Sequence, residues 1–316
     1  MKKRTIIALI VAGVLLIAGS MLTILGLSFA GDSTQKSELI RQEITIQENF
    51  ENIAIDTADC DVKFAMFSGR DNCMVEVYSY ENVKHTAAVE NGTLKIKMID
   101  ERNWTDHIDI GRMDGMEMTV YLPAAEYESL QIRTTTGDIA LAQEPVFLET
   151  LLRTNTGDIS CVGVSSNALD CMTSTGDISV QNSAPNILQL QSNTGDFAVS
   201  VVAGDEIHMR TNTGEVDAEN VNVQMFTCKT ETGDVELEKV LAEDYLQIRT
   251  NTGDVQIENS DAGTVNIETD TGDVSGHFLT PKWFSAFSDT GNVTVPNTPD
   301  GGECRIQTDS GDIYFK

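Results

Sequence analysis

Apolar and polar residues alternate with a period of two around ten glycines between residues 130 and 313, as in β-strands with one buried face. Most units place apolar residues seven and five positions before the glycine and two positions after it. Polar residues fill the places between them. The pattern therefore predicts a repeated unit made of a strand, a tight turn and a second strand.

The glycines belong to a Thr-Gly-Asp motif or a close variant and lie 19 or 20 residues apart. They are Gly137, Gly157, Gly176, Gly195, Gly214, Gly233, Gly253, Gly272, Gly291 and Gly311. Units this short cannot bury an apolar face alone, so tandem copies must stack. Helical solenoids need units of about 33 residues or more, with a period of 3.6. We therefore predict an all-β fold, a parallel β-solenoid of the β-helix or β-roll type with about ten coils.

The motif itself is explained by turn chemistry. Glycine accepts a positive φ, and the Asp after it can accept hydrogen bonds from local backbone donors. A column of stacked carboxylates about 4.8 Å apart also offers a hard cation such as calcium a place to bind. We favour turn capping, because Glu215 and Asn292 interrupt the column and the nonapeptide of calcium-binding β-rolls is absent. The calcium candidates are Asp138, Asp158, Asp177, Asp196, Asp234, Asp254 and Asp273.

The N-terminus predicts a membrane anchor. Lys2, Lys3 and Arg4 precede an uncharged stretch long enough to cross a bilayer, and the basic flank stays inside. We predict a cytoplasmic flank at 1–5, one transmembrane signal anchor at 6–30 and an extracytoplasmic remainder. Cleavage near Ala30 followed by secretion is the alternative, although secretory apolar cores are usually shorter.

The exported part divides into a polar spacer at 31–38, a β-rich cap at 39–128 and the solenoid at 129–316. Asn91-Gly92 is a hairpin signal in the cap, and the segment 59–62, Asp-Cys-Asp-Val, is a worn copy of the turn. The cap would cover the first edge of the solenoid. The chain ends directly after the tenth turn, so we expect that end to be open and to self-associate or dock on a partner.

Charge excludes one class of partner. Against 21 Lys and Arg stand 49 Asp and Glu, which gives a formal net charge of −28. Phosphate backbones would repel such an acidic chain, so no nucleic-acid partner is expected.

Catalytic motifs are missing from the sequence. It contains no Gly-x-Ser-x-Gly elbow, phosphate loop, His-Glu-x-x-His or Cys-x-x-Cys, and its four histidines are scattered. Some β-solenoids degrade polysaccharides, but coils of such constant length leave little room for the loops that wall a cleft. We therefore predict a protein that is not an enzyme and has no cofactor.

Six cysteines permit disulfides in an exported chain. Cys171 and Cys228 share an inward column three coils apart, which is beyond the reach of a disulfide. Cys60 and Cys73 are the pair that we consider for a bond.

Two surface features are candidate contact sites. An outward column four residues before the glycine carries Arg133, Arg153, Arg210, Lys229 and Arg249. Compensation of neighbouring carboxylates explains such a column, and binding of an anionic envelope polymer is the alternative. The second feature is the pair Trp283 and Phe287, which point outward in the ninth coil, either as a contact site or packed under a loop.

Three of these features together resemble those of a known protein family. The anchor, the junction Val120-Tyr121-Leu122-Pro123 before Ser129-Leu130-Gln131-Ile132, and the repeated Thr-x-Thr-Gly-Asp units occur together. From about residue 44 onward the chain resembles the bacterial putative-adhesin family of β-strand repeats. The resemblance implies a surface or envelope interaction module without catalytic residues. An accessory role in envelope-stress signalling is the alternative, and a carbohydrate-active enzyme is a third possibility.

Overall fold

The computed structural model describes residues 39–66, 72–101, 115–142 and 146–316. The predicted flank, anchor and spacer at 1–38 lie outside these residues. Within the described ranges, no helix long and apolar enough to cross a bilayer is found.

Every regular element of the described part is a β-strand. The strands are β1 (Ile40–Ile46), β2 (Asn52–Asp56), β3 (Cys60–Met66), β4 (Cys73–Ser79), β5 (Val83–Glu90), β6 (Thr93–Asp100), β7 (Met116–Leu122), β8 (Glu126–Arg133), β9 (Ile139–Ala142), β10 (Val146–Arg153), β11 (Ile159–Val162), β12 (Ser165–Met172), β13 (Ile178–Gln191), β14 (Phe197–Ala203), β15 (Glu206–Arg210), β16 (Val216–Lys229), β17 (Val235–Thr252), β18 (Val255–Thr271), β19 (Val274–Phe278), β20 (Lys282–Thr290), β21 (Val293–Thr294), β22 (Gly302–Ser310) and β23 (Ile313–Phe315).

The repeat region is a parallel β-solenoid, which confirms the predicted fold. Residues before each glycine pair in parallel with their equivalents one coil away, as Leu188 does with Ile207. Residues after the glycine do the same, as Ile178 does with Phe197. The inward columns are buried and form one continuous apolar core. The solenoid has about nine turns, close to the number that the glycines predict.

The parallel stack extends on the N-terminal side of the first glycine motif. Strands β2 and β3 form a coil next to β8 and β9, with Ile53 paired to Leu130 and Val62 to Ile139. The segment 59–62 therefore stacks as a turn unit, as its sequence predicts. Strand β6 pairs with β2 and β7 with β3, again in parallel. Strands β5, β4 and β1 then continue the sheet in antiparallel pairs.

The order of coils at the C-terminal side departs from the expectation. Strand β22 pairs with β18 on one side and with β20 on the other, and β23 lies in the same way between β19 and β21. The tenth coil is therefore inserted between the eighth and the ninth, and the expectation that it ends the stack is wrong. Insertion buries Phe315, whose ring lies 5.2 Å from that of Phe278 and 5.5 Å from that of Phe284, centroid to centroid.

A second corner lies six residues after the glycine. Most of its residues have a left-handed backbone although they are not glycine: Asn182, Val201, Asn220, Lys239 and Asn259 have φ between 49° and 55°. The column one position further carries Val202, Val221 and Val240, which are buried. In the eighth coil the equivalent residue, Leu279, is 54% exposed, because the chain leaves the stack there to reach β20.

Candidate functional site

The glycines of the motif form a ladder through the whole repeat. A Cβ on Gly195 would lie 1.8 Å from the carbonyl oxygen of Gly176 in the adjacent coil. The other motif glycines meet the same obstacle. Glycine is thus required because two coils approach too closely for any side chain, and at Gly195 also because φ is 154°.

The aspartates of the motif join one coil to the next. The backbone N–H of Asp177 donates to Asp158 Oδ1 over 2.8 Å, and that of Asp196 donates to Asp177 Oδ1 over the same distance. The sequence predicts local donors, and the observed donors belong to the neighbouring coil instead. The same bond involves Asp138, Asp234, Asp254, Asp273 and Asp312. Among the described residues, no group of three or more His, Cys, Asp or Glu is placed to hold a metal ion.

Buried hydroxyls three residues before the glycine complete the turn. Thr154 Oγ1 donates to the carbonyl of Gly137, and Thr173 Oγ1 to that of Gly157, each over 3.1 Å. The Thr, the Gly and the Asp of the motif therefore all contact an adjacent coil. The motif therefore holds the stack together.

The predicted basic column lies on one outward side of β8, β10, β15, β16 and β17, which we call the basic face. Arg133 pairs with Arg153 across adjacent strands. Further along, Arg210 pairs with Lys229, and Lys229 with Arg249. Parallel neighbours are about 4.8 Å apart, so the last three cations form an uninterrupted row.

Carboxylates compensate only part of this row. Arg249 Nη1 lies 3.9 Å from Glu268 Oε2. No carboxylate of the described part lies within ion-pair distance of Arg210 or Lys229. Direct ion pairs within the described residues therefore account for only one end of this row.

A shallow groove of about 480 Å³ follows this centre. Its polar lining contains one carboxylate, Asp170, and is otherwise rich in hydrogen-bond donors: Gln189, Gln191, His208, Arg210, Thr227, Lys229, Gln247 and Arg249. His208 is held in place, since Nδ1 lies 2.7 Å from Thr227 Oγ1 and Nε2 lies 3.0 Å from Glu206 Oε2. Positive charges and amide donors in one groove suit an anionic ligand.

The two predicted aromatic contacts lie on the same outward side, in the ninth coil. Trp283 is 50% exposed and Phe287 57% exposed. Within the described part of the chain, their strand β20 pairs only with β22, so both side chains lie at the end of the stack.

All six cysteines are buried and free. The Cys60–Cys73 disulfide considered from the sequence is absent, and burial raises the pKa of both thiols to about 12. Cys161 Sγ instead lies 4.0 Å from Cys171 Sγ, inside the core.

Sequence reasoning missed two charged or ionisable residues of the interior. Lys282 is buried at the start of β20, where Nζ contacts Asp261 Oδ1 and donates to the Ala262 carbonyl over 2.6 Å. It reaches the eighth coil past Gly302 of the inserted tenth coil.

His85 is buried in β5, and neither ring nitrogen has a hydrogen-bond partner. Neither residue lies in a repeated column that would reveal it.

The family profile described as Toastrack DUF4097 matches residues 50–240 and again residues 205–316. The chain belongs to this family, which confirms the resemblance found in its residues.

Several solved structures resemble the chain at low identity. A putative lipid binding protein from Parabacteroides distasonis is 16% identical, and the alignment covers 76% of this chain and 97% of that chain with a TM-score of 0.50. A putative adhesin from the same species is 15% identical with the same coverage and a TM-score of 0.49. A putative adhesin from Bacteroides fragilis is 12% identical over 88% of this chain and 97% of that one, with a TM-score of 0.47. At these identities the likeness concerns the fold alone. A search among curated proteins finds no match.

Proposed function

We propose that the protein is a membrane-anchored, extracytoplasmic and non-enzymatic interaction module, similar in role to an adhesin, which holds an anionic envelope polymer along its basic face. The observation that carries this proposal is the pair Arg210 and Lys229. They lie side by side, and no carboxylate of the described residues pairs with either of them, on a chain whose formal net charge is −28.

The electrostatic repulsion between neighbouring cations of the row favours binding of an anionic ligand. Two unit charges about 4.8 Å apart repel by roughly 0.9 kcal/mol even at the dielectric constant of water. An anionic group between them adds two attractions that outweigh this repulsion. Arg also offers a planar fork that matches carboxylate and phosphate groups.

The shape of the site favours a linear polymer over a small metabolite. The groove is open and runs across five neighbouring strands, β12, β13, β15, β16 and β17, and the last three carry cations that repeat at the strand spacing. A polymer with regularly spaced charges can contact several cations at once, so that weak individual contacts add up. Among the described residues, the coils of the repeat are regular and have no long loop that would enclose a reacting group.

The binding test uses the full chain in detergent with two probe polymers, polygalacturonate for carboxylates and polyphosphate for phosphates. We expect binding that weakens steeply with salt. Combined Arg210→Gln, Lys229→Gln and Arg249→Gln changes should weaken it by at least tenfold. The matched control is Lys63→Gln, Lys84→Gln and Lys95→Gln, which removes three cations that are already paired with Glu117, Glu101 and Glu90. Equal affinity of both triple variants, or no binding of either probe, would contradict the proposal.

The location is tested separately. In intact cells, a membrane-impermeant amine reagent should label exposed lysines such as Lys239 on the solenoid. If these lysines are labelled only after the cells are lysed, the solenoid lies inside the cell, and the proposed extracytoplasmic location and envelope ligand are wrong.

A further inference from the structure

The ninth coil leaves an unpaired strand edge. Strand β20 hydrogen-bonds to β22 on one side, and β21 to β23 on one side. No strand of the described part pairs with their other side. Unpaired backbone N–H and C=O groups of this kind are a template for another strand.

Natural proteins protect such edges with charged side chains, proline or bulges. Between Trp283 and Ser288, β20 contains neither a charge nor a proline: its sequence there is Trp-Phe-Ser-Ala-Phe-Ser. The strands at the opposite end are protected, since Arg41 of β1 pairs with Glu76 and Lys84 of β5 with Glu101. Uncharged aromatic segments of six residues are the kind that pairs with a further copy of themselves.

We propose that the ninth coil is a pairing edge for a second copy of this chain, with β20 antiparallel to the β20 of its partner. The pairing is centred on Ala286. In this register Phe284 lies opposite the partner's Ser288, and Ser285 opposite the partner's Phe287. All inward side chains of one copy then meet inward side chains of the other, as a continuous core requires.

The side chains on this edge fit such a pair. Phe284 and Ala286 are only half-buried in a single chain, so a second coil would cover them. On the outward side, Trp283 lies diagonal to the partner's Phe287, at a distance that aromatic side chains bridge. Pairing therefore removes exposed aromatic surface from both faces of the strand.

Charge directs two copies to this edge. The acidic body of one chain repels that of another over most of its surface. The ends of β20 carry Lys282, which is paired with Asp261, and Asp289, and the strand between them is uncharged. Because outward faces stay aligned, the basic faces of the two copies would follow one another along a continuous sheet.

Sedimentation of the full chain in density-matched detergent tests the pairing. We expect a dimer whose fraction rises with protein concentration. The double change Ser285→Lys and Phe287→Lys should weaken dimerisation by at least tenfold, because it puts like charges opposite each other across the two-fold axis. The matched control is Tyr314→Lys, an exposed aromatic residue on β23, which is paired on both sides.

A second measurement does not depend on how well the lysine variant folds. Copies with Ser285→Cys are mixed with copies carrying Phe287→Cys and are then oxidised. Disulfides should form mainly between unlike copies, because residues 285 and 287 face each other. A monomer at every concentration, an unchanged dimer in the lysine variant, or equal crosslinking of like and unlike copies would each overturn the proposal.

Discussion

The backbone N–H of Asp312 donates to Asp273 Oδ1 over 2.7 Å, although 39 residues separate the two in the chain. In the central coils the same bond joins residues 19 or 20 apart, such as Asp177 and Asp158. The difference arises because the tenth coil fills the place between the eighth and the ninth. It leaves Trp283 and Phe287 at the end of the stack and Phe315 inside it.

The glycine ladder predicts a large loss of stability on adding a single methyl group. Gly195→Ala should lower the free energy of unfolding by about 3 kcal/mol or more, since the new Cβ meets a backbone oxygen and φ is unfavourable. Thermal unfolding measures the change. Gly115→Ala is the matched control, because its Cβ would have its nearest neighbour at 3.6 Å and should change stability little. Equal melting temperatures for the two variants would refute the ladder.

The aspartate column predicts that the acceptor oxygen matters more than the negative charge. Asp177→Ala leaves the N–H of Asp196 without its partner and should cost about 1 kcal/mol of stability. Asp177→Asn keeps an acceptor oxygen and should cost less. Denaturant unfolding with and without calcium distinguishes the two explanations of the column. If calcium stabilises wild type strongly and neither variant, the column is a cation site.

We predict that replacing Val201 by Asn stabilises the protein. Val201 is β-branched, yet its φ is 55°, a region that costs most residues about 1–2 kcal/mol. Asn occupies this place in three other coils, so Val201→Asn should stabilise the protein by about 1 kcal/mol. Ala198→Asn, an exposed change on the adjacent strand stretch, is the control and should give no gain. A destabilised Val201→Asn variant would show that this corner is not strained.

We predict that the buried ring of His85 makes the folded protein less stable at acidic pH. Burial lowers the pKa of the ring from 6.5 to about 4. The unfolded chain therefore takes up a proton at a higher pH than the folded chain, and stability falls as the pH drops from about 6.5 to 4. At about 1.4 kcal/mol per pKa unit, the full effect is roughly 3–4 kcal/mol.

The variant His85→Met tests this. It lacks the ionisable ring, so its stability relative to wild type should rise steadily between pH 7 and pH 4 in denaturant titrations. A difference that stays constant with pH would mean that the ring is protonated equally in both states.

The repeated part of the molecule could be predicted well, because each coil presents the same columns. The glycine positions, the inward apolar residues and the parallel solenoid all follow from one period. The order of the last coils could not be predicted from the sequence, because β20 and β22 have similar patterns of apolar and polar residues. Their places in the stack depend on how Phe278, Phe284 and Phe315 pack together.

For the candidate site, the sequence indicates the basic column and the exposed aromatic pair. It does not reveal that Glu268 pairs with Arg249, whereas no described carboxylate pairs with Arg210 or Lys229. It also misses Lys282, because a lysine at the start of a strand is normally solvated, and only the side-chain-free Gly302 lets it cross to Asp261.

Crosslinking within one chain tests the inserted coil most directly. Asn266 lies beside Arg305 in the structure, and Arg305 lies between Asn266 and Ser285. Oxidation of the Asn266→Cys, Arg305→Cys variant should form an intramolecular disulfide, whereas the Asn266→Cys, Ser285→Cys variant should form none, because two strand spacings exceed the reach of a disulfide. The opposite result, a bond between positions 266 and 285 and none between 266 and 305, would show that the coils stack in chain order.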